Sequence, residues 1–230
     1  MILAVIPARG GSRGLPGKNL RRIGGQPMIA HTIRAALAAT RIDRVVVSTD
    51  DPQIASVSRD CGAEVPSLRP AALATDDTPT LPVVDHAVRE LEAAGAMVSV
   101  VVTLQPTSPL RTPDQIDAAI ALLERTRARS AVAVTALGVP ASAVGILADG
   151  RFRAMPMAPG ADLRRQAAPP AARVTGAIYV TSRGLLAEGR LLDEAPAALL
   201  TEGPSTIDVD DLNGLRAARR AVARAVARAR

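Results

Sequence analysis

Four glycines and three basic residues are concentrated in the segment that follows the first apolar run of the chain. The segment reads Pro7-Ala-Arg-Gly-Gly-Ser-Arg-Gly-Leu-Pro-Gly-Lys-Asn19, with Arg9, Arg13 and Lys18 among the glycines. Glycines let a backbone turn tightly and present its N–H groups to an anion, and basic side chains add fixed positive charge. Such a segment is suited to binding a triphosphate.

The spacing of this segment excludes two common phosphate-binding motifs. A P-loop needs glycine where Ser12 stands and Ser or Thr where Asn19 stands, and no register places glycines at relative positions 1, 3 and 6 as the dinucleotide motif requires. Lys18 is also the only lysine of a chain with 27 arginines. An ammonium is a compact point charge, whereas a guanidinium is a planar fork. We therefore predict a phosphate loop of a third kind that uses Lys18.

Two aspartates near the C-terminus have the spacing of a metal site. Asp208 and Asp210 alternate in an extended segment, so both side chains can point to the same side. Two carboxylates suit Mg²⁺ (or Mn²⁺), a hard ion that takes oxygen ligands and leaves positions for phosphate. The alternative is that these aspartates only cap a helix and contact solvent. Asp211 is predicted to cap the last helix.

Two further polar segments follow predicted strands. Arg69-Pro70 is an extended turn, and the stretch from Thr75 to Thr80 either lines a pocket or only caps a helix. The second segment follows a run of valines and contains Gln105, Thr107, Ser108 and Arg111. It predicts either a preformed polar rim or a simple turn.

Strands and helices alternate along the chain, which is typical of an α/β fold with a mostly parallel sheet flanked by helices. The predicted strands are Ile2–Ile6, Arg44–Thr49, Glu64–Leu68, Ser99–Leu104, Ala131–Thr135 and Gly176–Thr181. The predicted helices are Met28–Ala39, Pro52–Cys61, Leu81–Ala94, Pro113–Arg127 and Leu212–Arg230. Ligands bind beyond the carboxyl ends of the strands in such sheets, where the polar segments fall. His31 and His86 fall within helices and are not expected to act in catalysis.

The composition narrows the possible functions. The net charge of +6 comes from six arginines in the last eighteen residues, so the body of the chain is neutral. Phe152 and Tyr179 are the only aromatic residues, which argues against stacking of nucleic-acid bases. Cys61 is the only cysteine, and no apolar run is long enough for a signal peptide or a membrane span. We expect a cytoplasmic protein that binds neither nucleic acid nor membrane.

The segment Ile6–Leu20 resembles the N-terminal signature of the CMP-sialic acid synthetases (acylneuraminate cytidylyltransferases). The similarity continues through Ser48–Asp51, Leu68–Asp76, Leu104–Arg111, Gly176–Tyr179 and Ile207–Asp210. It therefore covers essentially the whole chain and is weakest at about residues 137–163.

The resemblance implies a nucleotidyltransferase fold and assigns roles to individual residues. The catalytic residues would be Arg9, Lys18 and Asp210. CTP would be bound by Arg9, Gly10, Gly11, Ser12, Lys18, Asn19, Arg69, Thr78 and Thr80. The sugar-acid acceptor would be bound by Gln105, Thr107, Arg165 and Tyr179, and the divalent ion by Asp208 and Asp210.

The resemblance also implies a single domain over residues 1–230, with residues 137–174 as an excursion for dimerisation and the acceptor site. The family usually carries a lysine in the part matching 137–147, where this chain has no basic residue, and aromatics where Leu191 and Leu192 stand. The expected reaction joins CMP from CTP to a sialic-acid-like 2-keto-3-deoxy sugar acid in a homodimer. The alternatives are another acceptor, such as 3-deoxy-manno-octulosonate, or a non-catalytic nucleotide-binding homologue.

Overall fold

The computed structural model describes residues 1–12, 14–155 and 170–228. The strands in these ranges are β1 (Ile2–Pro7), β2 (Arg22–Ile23), β3 (Gln26–Pro27), β4 (Arg44–Ser48), β5 (Val100–Thr103), β6 (Ser130–Pro140), β7 (Gly145–Ala148), β8 (Arg151–Ala154), β9 (Pro170–Ser182) and β10 (Ala197–Leu200). The α-helices are α1 (Met28–Ala38), α2 (Pro52–Asp60), α3 (Thr80–Ala93), α4 (Pro113–Thr126), α5 (Arg183–Ala187) and α6 (Leu212–Arg228). Short 3₁₀ helices lie at Lys18–Leu20, Ala71–Leu73, Ala141–Ala143 and Gly203–Thr206.

Six strands form the central sheet, in the order β10-β6-β9-β5-β1-β4. β1 runs parallel to β4 and β5, and β10 runs parallel to β6. β9 is antiparallel to both of its neighbours, β5 and β6. The predicted α/β architecture with a mostly parallel sheet is confirmed.

Helices cover both faces of this sheet. β1 is buried on both sides, as expected of a central parallel strand. Ile6 belongs to the core cluster shared with α1, α2 and α4, whereas Val5 packs with Val88 of α3 on the other face. A third cluster joins Leu215 of α6 to Ile23 of β2. This third cluster places the N-terminal end of α6 next to the loop that follows β1.

The structure corrects several predicted elements. The stretch Glu64–Leu68 is not a strand, since it makes only one bridge, from Glu64 to Val46. The strand predicted at Ala131–Thr135 continues to Pro140, and the one predicted at Gly176–Thr181 begins at Pro170. The sequence pattern also missed α5 and β10. β10 consists of alanine and leucine, which favour helices, and pairing with β6 overrides that preference.

The predicted excursion begins within β6. The first four residues of β6 are buried, but the strand is mostly exposed beyond Thr135. β7 and β8 pair as a hairpin whose turn places Asp149 and Gly150 at φ of 51° and 70°, the positive values that a tight hairpin turn requires. The described parts of residues 137–174 are therefore largely extended backbone outside the core.

Three neighbouring parallel strands, β5, β1 and β4, have their carboxyl ends at one edge of the sheet. The segments that follow β1 and β5 contain predicted site residues, and Arg69 is held at the end of β4 because its amide donates to the carbonyl of Thr49. Asp51 caps α2 by accepting from the amides of Gln53 and Ile54, and Thr112 caps α4 in a capping box with Gln115. In the ranges that the structure describes, no helix is long and apolar enough to cross a membrane.

Candidate active site

The loop after β1 is held in place by hydrogen bonds from its neighbours. The Gly10 amide donates to Asp50 Oδ1 at 3.0 Å, and Asn19 Nδ2 donates to the carbonyl of Arg9 at 2.9 Å. Gly17 takes a φ of 64° and starts the 3₁₀ turn that carries Lys18. Glycine is required there because a side chain is strained at that φ. The hydrogen bond from Gly10 to Asp50 fixes the loop to the segment that follows β4.

The glycines of this loop differ in what surrounds them. A Cβ added to Gly10 would lie 2.8 Å from Asp51 Oδ2, and one added to Gly14 would lie 2.5 Å from the carbonyl oxygen of Asp210. A Cβ added to Gly11 would meet no described atom within 4 Å. Gly10 and Gly14 are thus needed for packing, whereas Gly11 faces open space.

That open space is a cleft of about 230 Å³ above the carboxyl ends of β1, β4 and β5. Its walls include most of the residues that the sequence assigned to nucleotide and acceptor: Arg9, Gly11, Ser12, Lys18, Asn19, Arg69, Thr78, Thr80, Gln105 and Thr107. Residues from three separate parts of the chain are therefore brought together in one site. Among the predicted nucleotide-binding residues, Gly10 does not line the cleft and instead supports it through Asp50.

Arg69 forms one wall of the cleft. Its side chain is 4% exposed, and its Nη2 lies 3.3 Å from Asp50 Oδ1. Burial lowers the pKa of Arg69, and the negative charge of Asp50 opposes that shift. Within the described residues, the buried Nε of Arg69 has no hydrogen-bond partner. Asp50 therefore connects two parts of the site, because it also accepts the Gly10 amide.

The segment from Thr75 to Thr80 forms a second wall of the cleft. Arg9 Nη1 lies 2.7 Å from Asp76 Oδ1 and donates to the carbonyl of Thr75 at 2.9 Å. The hydroxyls of Thr75 and Thr78 are 2.6 Å apart. This segment does not cap α3, because Pro79 occupies the N-cap position and no side chain there accepts a helix amide. Of the two interpretations of the sequence, the pocket wall is the one that the geometry favours.

The turn after β5 is fixed from below by Arg111. The Arg111 guanidinium is buried; its Nη1 donates to Thr32 Oγ1 at 2.9 Å and its Nη2 donates to the carbonyl of Gln105. Burial lowers the pKa of Arg111 to about 9, and the charge of Asp208 opposes that shift. Gln105 Nε2 in turn donates to Thr80 Oγ1 at 3.3 Å. The polar rim is therefore a preformed turn, held by a buried cation.

Asp208 and Asp210 lie beside this turn. Val209 between them is fully buried, and its amide donates to the carbonyl of Thr107 at 2.7 Å, so the two carboxylates lie on the opposite side of the strand-like segment. The two carboxylates are close enough to shift each other's pKa, and the Thr107 side chain opposes the upward shift of the Asp208 pKa. Lys18 Nζ lies 2.8 Å from Asp210 Oδ1. Asp211 caps α6 through the Gly214 amide, as predicted.

The two carboxylates have opposite pKa shifts. The residue surface of Asp208 reaches solvent, yet enough protein surrounds its carboxyl group that desolvation raises its pKa, and the charge of Asp210 raises it further. The hydrogen bond from Lys18 lowers the pKa of Asp210. Two neighbouring carboxylates supply oxygen ligands of the kind that a hard dication binds. Mg²⁺ commonly takes one or two carboxylates and completes its shell with water and substrate phosphate, so these residues fit the expected ion.

Other predicted residues lie apart from the cleft. Tyr179 is on β9 and does not line the cleft, although burial and the charge of Asp208 raise its pKa. Arg165 lies outside the described residues. His31 Nε2 is 2.9 Å from the carbonyl of Ile23, which is a structural contact. Sequence reasoning missed the connecting roles of Asp50 and Asp76, and only their position after strand ends or beside predicted pocket residues could have indicated them.

Comparison with known proteins identifies the family. A family model described as cytidylyltransferase matches residues 3–144, more than half of the chain. The chain belongs to the cytidylyltransferase family. It is 43% identical over 141 residues to the CMP-N,N'-diacetyllegionaminic acid synthase of Legionella pneumophila, covering 61% of this chain and 60% of that protein. It is 34% identical over 149 residues to the N-acylneuraminate cytidylyltransferase of Escherichia coli, covering 64% of this chain and 34% of that protein.

A solved structure of similar fold covers nearly the whole of this cytidylyltransferase chain. It is the CMP:2-keto-3-deoxy-manno-octonic acid synthetase complexed with CTP, and the two chains superpose with a TM-score of 0.72 at 20% sequence identity. The match covers 97% of this chain and 99% of that chain. At that identity the likeness concerns the fold alone. The matched part of this chain spans 60% or less of the length of the two curated relatives above.

Proposed function

We propose that this protein transfers CMP from CTP to the anomeric hydroxyl of a 2-keto-3-deoxy sugar acid and releases pyrophosphate. The hydroxyl oxygen forms a bond to the α-phosphorus, the bond from that phosphorus to the β-phosphate oxygen breaks, and the hydroxyl loses its proton. Family membership supports the reaction type. The observation that carries the proposal is the cleft itself, which joins cationic side chains and an open glycine, and from which Lys18 contacts Asp210 of the neighbouring carboxylate pair.

The phosphate end of the cleft is the part formed by the loop after β1. Arg9 and Lys18 would hold the triphosphate by charge, and the loop amides from Gly11 onward would donate to its oxygens, since the Gly10 amide already donates to Asp50. Gly11 leaves room for close approach because no described atom lies where its side chain would be. Catalysis by these groups is positioning and electrostatic stabilisation of charge on the phosphoryl oxygens and the leaving group.

The resemblance to the family assigns the base and the acceptor to the other parts of the cleft. By that resemblance Arg69, Thr78 and Thr80 would bind the cytosine, and all three line the cleft. Gln105 and Thr107 would bind the acceptor, with Tyr179 and Arg165 as further contacts by family resemblance. Asp208 and Asp210 would hold Mg²⁺ or Mn²⁺. Such an ion polarises the reacting phosphoryl group when bound.

A nine-carbon sialic-acid-like sugar acid is the acceptor that the relatives favour. The two curated relatives are named for legionaminic and neuraminic acid derivatives. 3-Deoxy-manno-octulosonate is the second candidate, because other relatives carry that name at 38% identity over 126 residues. The stretch 137–147 lacks the basic residue that the family usually has there. We therefore expect an acceptor other than N-acetylneuraminate to be used best.

Pyrophosphate release from CTP with a panel of sugar acids tests the proposal. Asp210→Asn should lower the rate by about 100-fold or more, the usual effect of removing one group that stabilises transition-state charge. Asp211→Asn is the matched control, because asparagine also caps helices and the Gly214 contact should survive. Better turnover with UTP or ATP would refute the base assignment. Tight CTP binding without pyrophosphate release from any acceptor would favour a non-catalytic homologue.

We further propose that residues 1–230 form one domain that dimerises through the excursion at 137–174. The described part of the excursion exposes apolar side chains at Leu147, Phe152 and Val174, which are 77%, 60% and 44% exposed, and Leu147 is paired with Phe152 across the hairpin. Apolar side chains grouped in this way on an extended ribbon are typical of an interface. Sedimentation should give a dimer, and Leu147→Asp with Phe152→Asp should give a monomer. A monomeric unmodified chain at working concentration would disprove this assembly.

A further inference from the structure

Lys18 belongs to two sites at once. Its side chain is 16% exposed and lines the cleft, and its ammonium group lies 2.8 Å from Asp210 Oδ1. The Asp210 side chain is 71% exposed, so the other side of its carboxylate faces solvent. The ammonium therefore lies between the space expected for the triphosphate and one of the two oxygen-donor groups expected for the metal ion.

Lys18 and a divalent ion cannot both pair with the same oxygens of the Asp210 carboxylate. Asp208 and Asp210 alternate on one side of the same segment and raise each other's electrostatic cost, so the pair needs positive charge nearby. Lys18 supplies one such charge to Asp210. A divalent ion that uses Asp210 must compete with this ammonium, because both are cations that need the same carboxylate oxygens. If the ammonium is displaced, it needs another anion within reach.

The residue type at position 18 suits such an exchange. Lysine has a flexible four-carbon stem and a point charge that can turn from one anion to another, whereas an arginine fork is bound in a fixed geometry. Arg9, the other described cation of the loop, has different partners. It contacts Asp76 and the carbonyl of Thr75 in the wall formed by residues Thr75 to Thr80. Among the described residues of this loop, Lys18 is thus the cation that contacts Asp210 from within the cleft.

We propose that Lys18 is an exchangeable counter-ion of Asp210, which the triphosphate draws away so that the divalent ion can take its place. Nucleotide and metal then bind cooperatively, and the metal site has low affinity until nucleotide is present. This inference rests on the proposed function in that it takes a triphosphate as the ligand of the cleft. Its central claim, competition between Lys18 and a divalent ion, concerns the free protein and can be measured there.

The test is a titration of the free protein with Mn²⁺ at constant ionic strength, without nucleotide or acceptor. Electron paramagnetic resonance monitors how much Mn²⁺ is bound. Lys18→Met should bind Mn²⁺ roughly fivefold more tightly than the unmodified protein, the size expected for removal of one partly exposed ion pair. Arg9→Met is the matched control. It removes an equal charge from the same loop but contacts Asp76, so its Mn²⁺ affinity should stay within about twofold.

A second pair of variants separates direct exchange from a general charge effect. In an Asp210→Asn background, Lys18→Met should give no gain in Mn²⁺ affinity, because the oxygen for which the two cations compete has lost its charge. An unchanged or weaker Mn²⁺ affinity of Lys18→Met would overturn the proposal, as would an equal gain in Arg9→Met. Circular dichroism and the melting temperature check that each variant is folded. Since no turnover is measured, a failure to release pyrophosphate would refute the proposed function and leave this result standing.

Discussion

Alanine substitutions at Gly10 and Gly11 should separate the structural from the ligand-binding role of the loop after β1. At Gly10 the new methyl group would lie 2.8 Å from Asp51 Oδ2 and 2.9 Å from Asp51 Cβ. Asp51 cannot move freely, because it caps α2 by accepting from the Gln53 amide at 2.7 Å and the Ile54 amide at 3.1 Å. The Gly10 amide would also shift from Asp50. At Gly11 the methyl group meets nothing in the described structure.

The expected magnitudes follow from these contacts. Loss of an N-cap costs about 1 kcal/mol, and overpacking costs about 1–3 kcal/mol. We therefore expect Gly10→Ala to lower the free energy of unfolding by about 2 kcal/mol, which for a chain of this size is about 4–8 °C in melting temperature. Gly11→Ala should change the free energy of unfolding by less than about 0.5 kcal/mol. Its methyl group would instead occupy the space that a triphosphate needs, and CTP affinity should fall at least tenfold.

Two measurements test the separate roles of Gly10 and Gly11. Thermal or urea unfolding gives the stability of each variant without ligand, and isothermal titration with CTP gives its affinity. If Gly11→Ala binds CTP as tightly as the unmodified chain, the triphosphate does not lie against this loop and the phosphate assignment is wrong. If Gly11→Ala loses as much stability as Gly10→Ala, the difference in packing between the two glycines is not real.

Two further predictions concern charged groups around the sheet edge. Asp50→Asn should lower the free energy of unfolding by about 2 kcal/mol in urea unfolding, because it leaves the buried guanidinium of Arg69 without a carboxylate. Asp117 accepts from the amides of Thr40 and Arg41 and the Thr40 hydroxyl; these bonds outweigh desolvation and lower its pKa. Its stabilising effect is then present above the unfolded pKa, about 3.9, and is lost as pH falls through the lower folded value. Asp117→Asn should cost about 1 kcal/mol at pH 7, and this cost should shrink as the pH falls through the folded pKa.

The site could be predicted from sequence to the extent that strand ends determine it. β1, β4 and β5 are valine- and isoleucine-rich runs that end in proline, serine or threonine, and a parallel sheet brings such ends together. Once those three strands are recognised, Arg9, Asp50 and Gln105 must lie near one another. Arg69 does not follow a strand and joins them through its amide, which donates to the carbonyl of Thr49. Local rules also indicate caps at Thr112 and at either Asp50 or Asp51, because Asp or Thr beside a proline before an amphipathic stretch is a strong helix start.

What the sequence could not show depends on tertiary contacts. Asp50 and Asp51 are adjacent and chemically identical, yet Asp51 caps α2 and Asp50 accepts from Gly10 and Arg69. Nothing local distinguishes them, because the difference is which side of the turn faces the loop after β1. β10 was missed for a related reason, since its alanines and leucines are extended only because they pair with the edge of β6.

The distribution of cations at this site has a physical explanation that connects the single lysine to the many arginines. Arg69 and Arg111 are buried in the wall and floor of the cleft, and burial lowers the pKa of both. Even at a pKa of about 9, only about 1% of Arg111 is neutral at pH 7. A lysine starts from a pKa about two units lower, so the same burial would leave it only about half charged at pH 7. Arginine therefore suits permanent charge where water is excluded, and lysine suits position 18, where the charge sits at the open cleft and must be free to change partners.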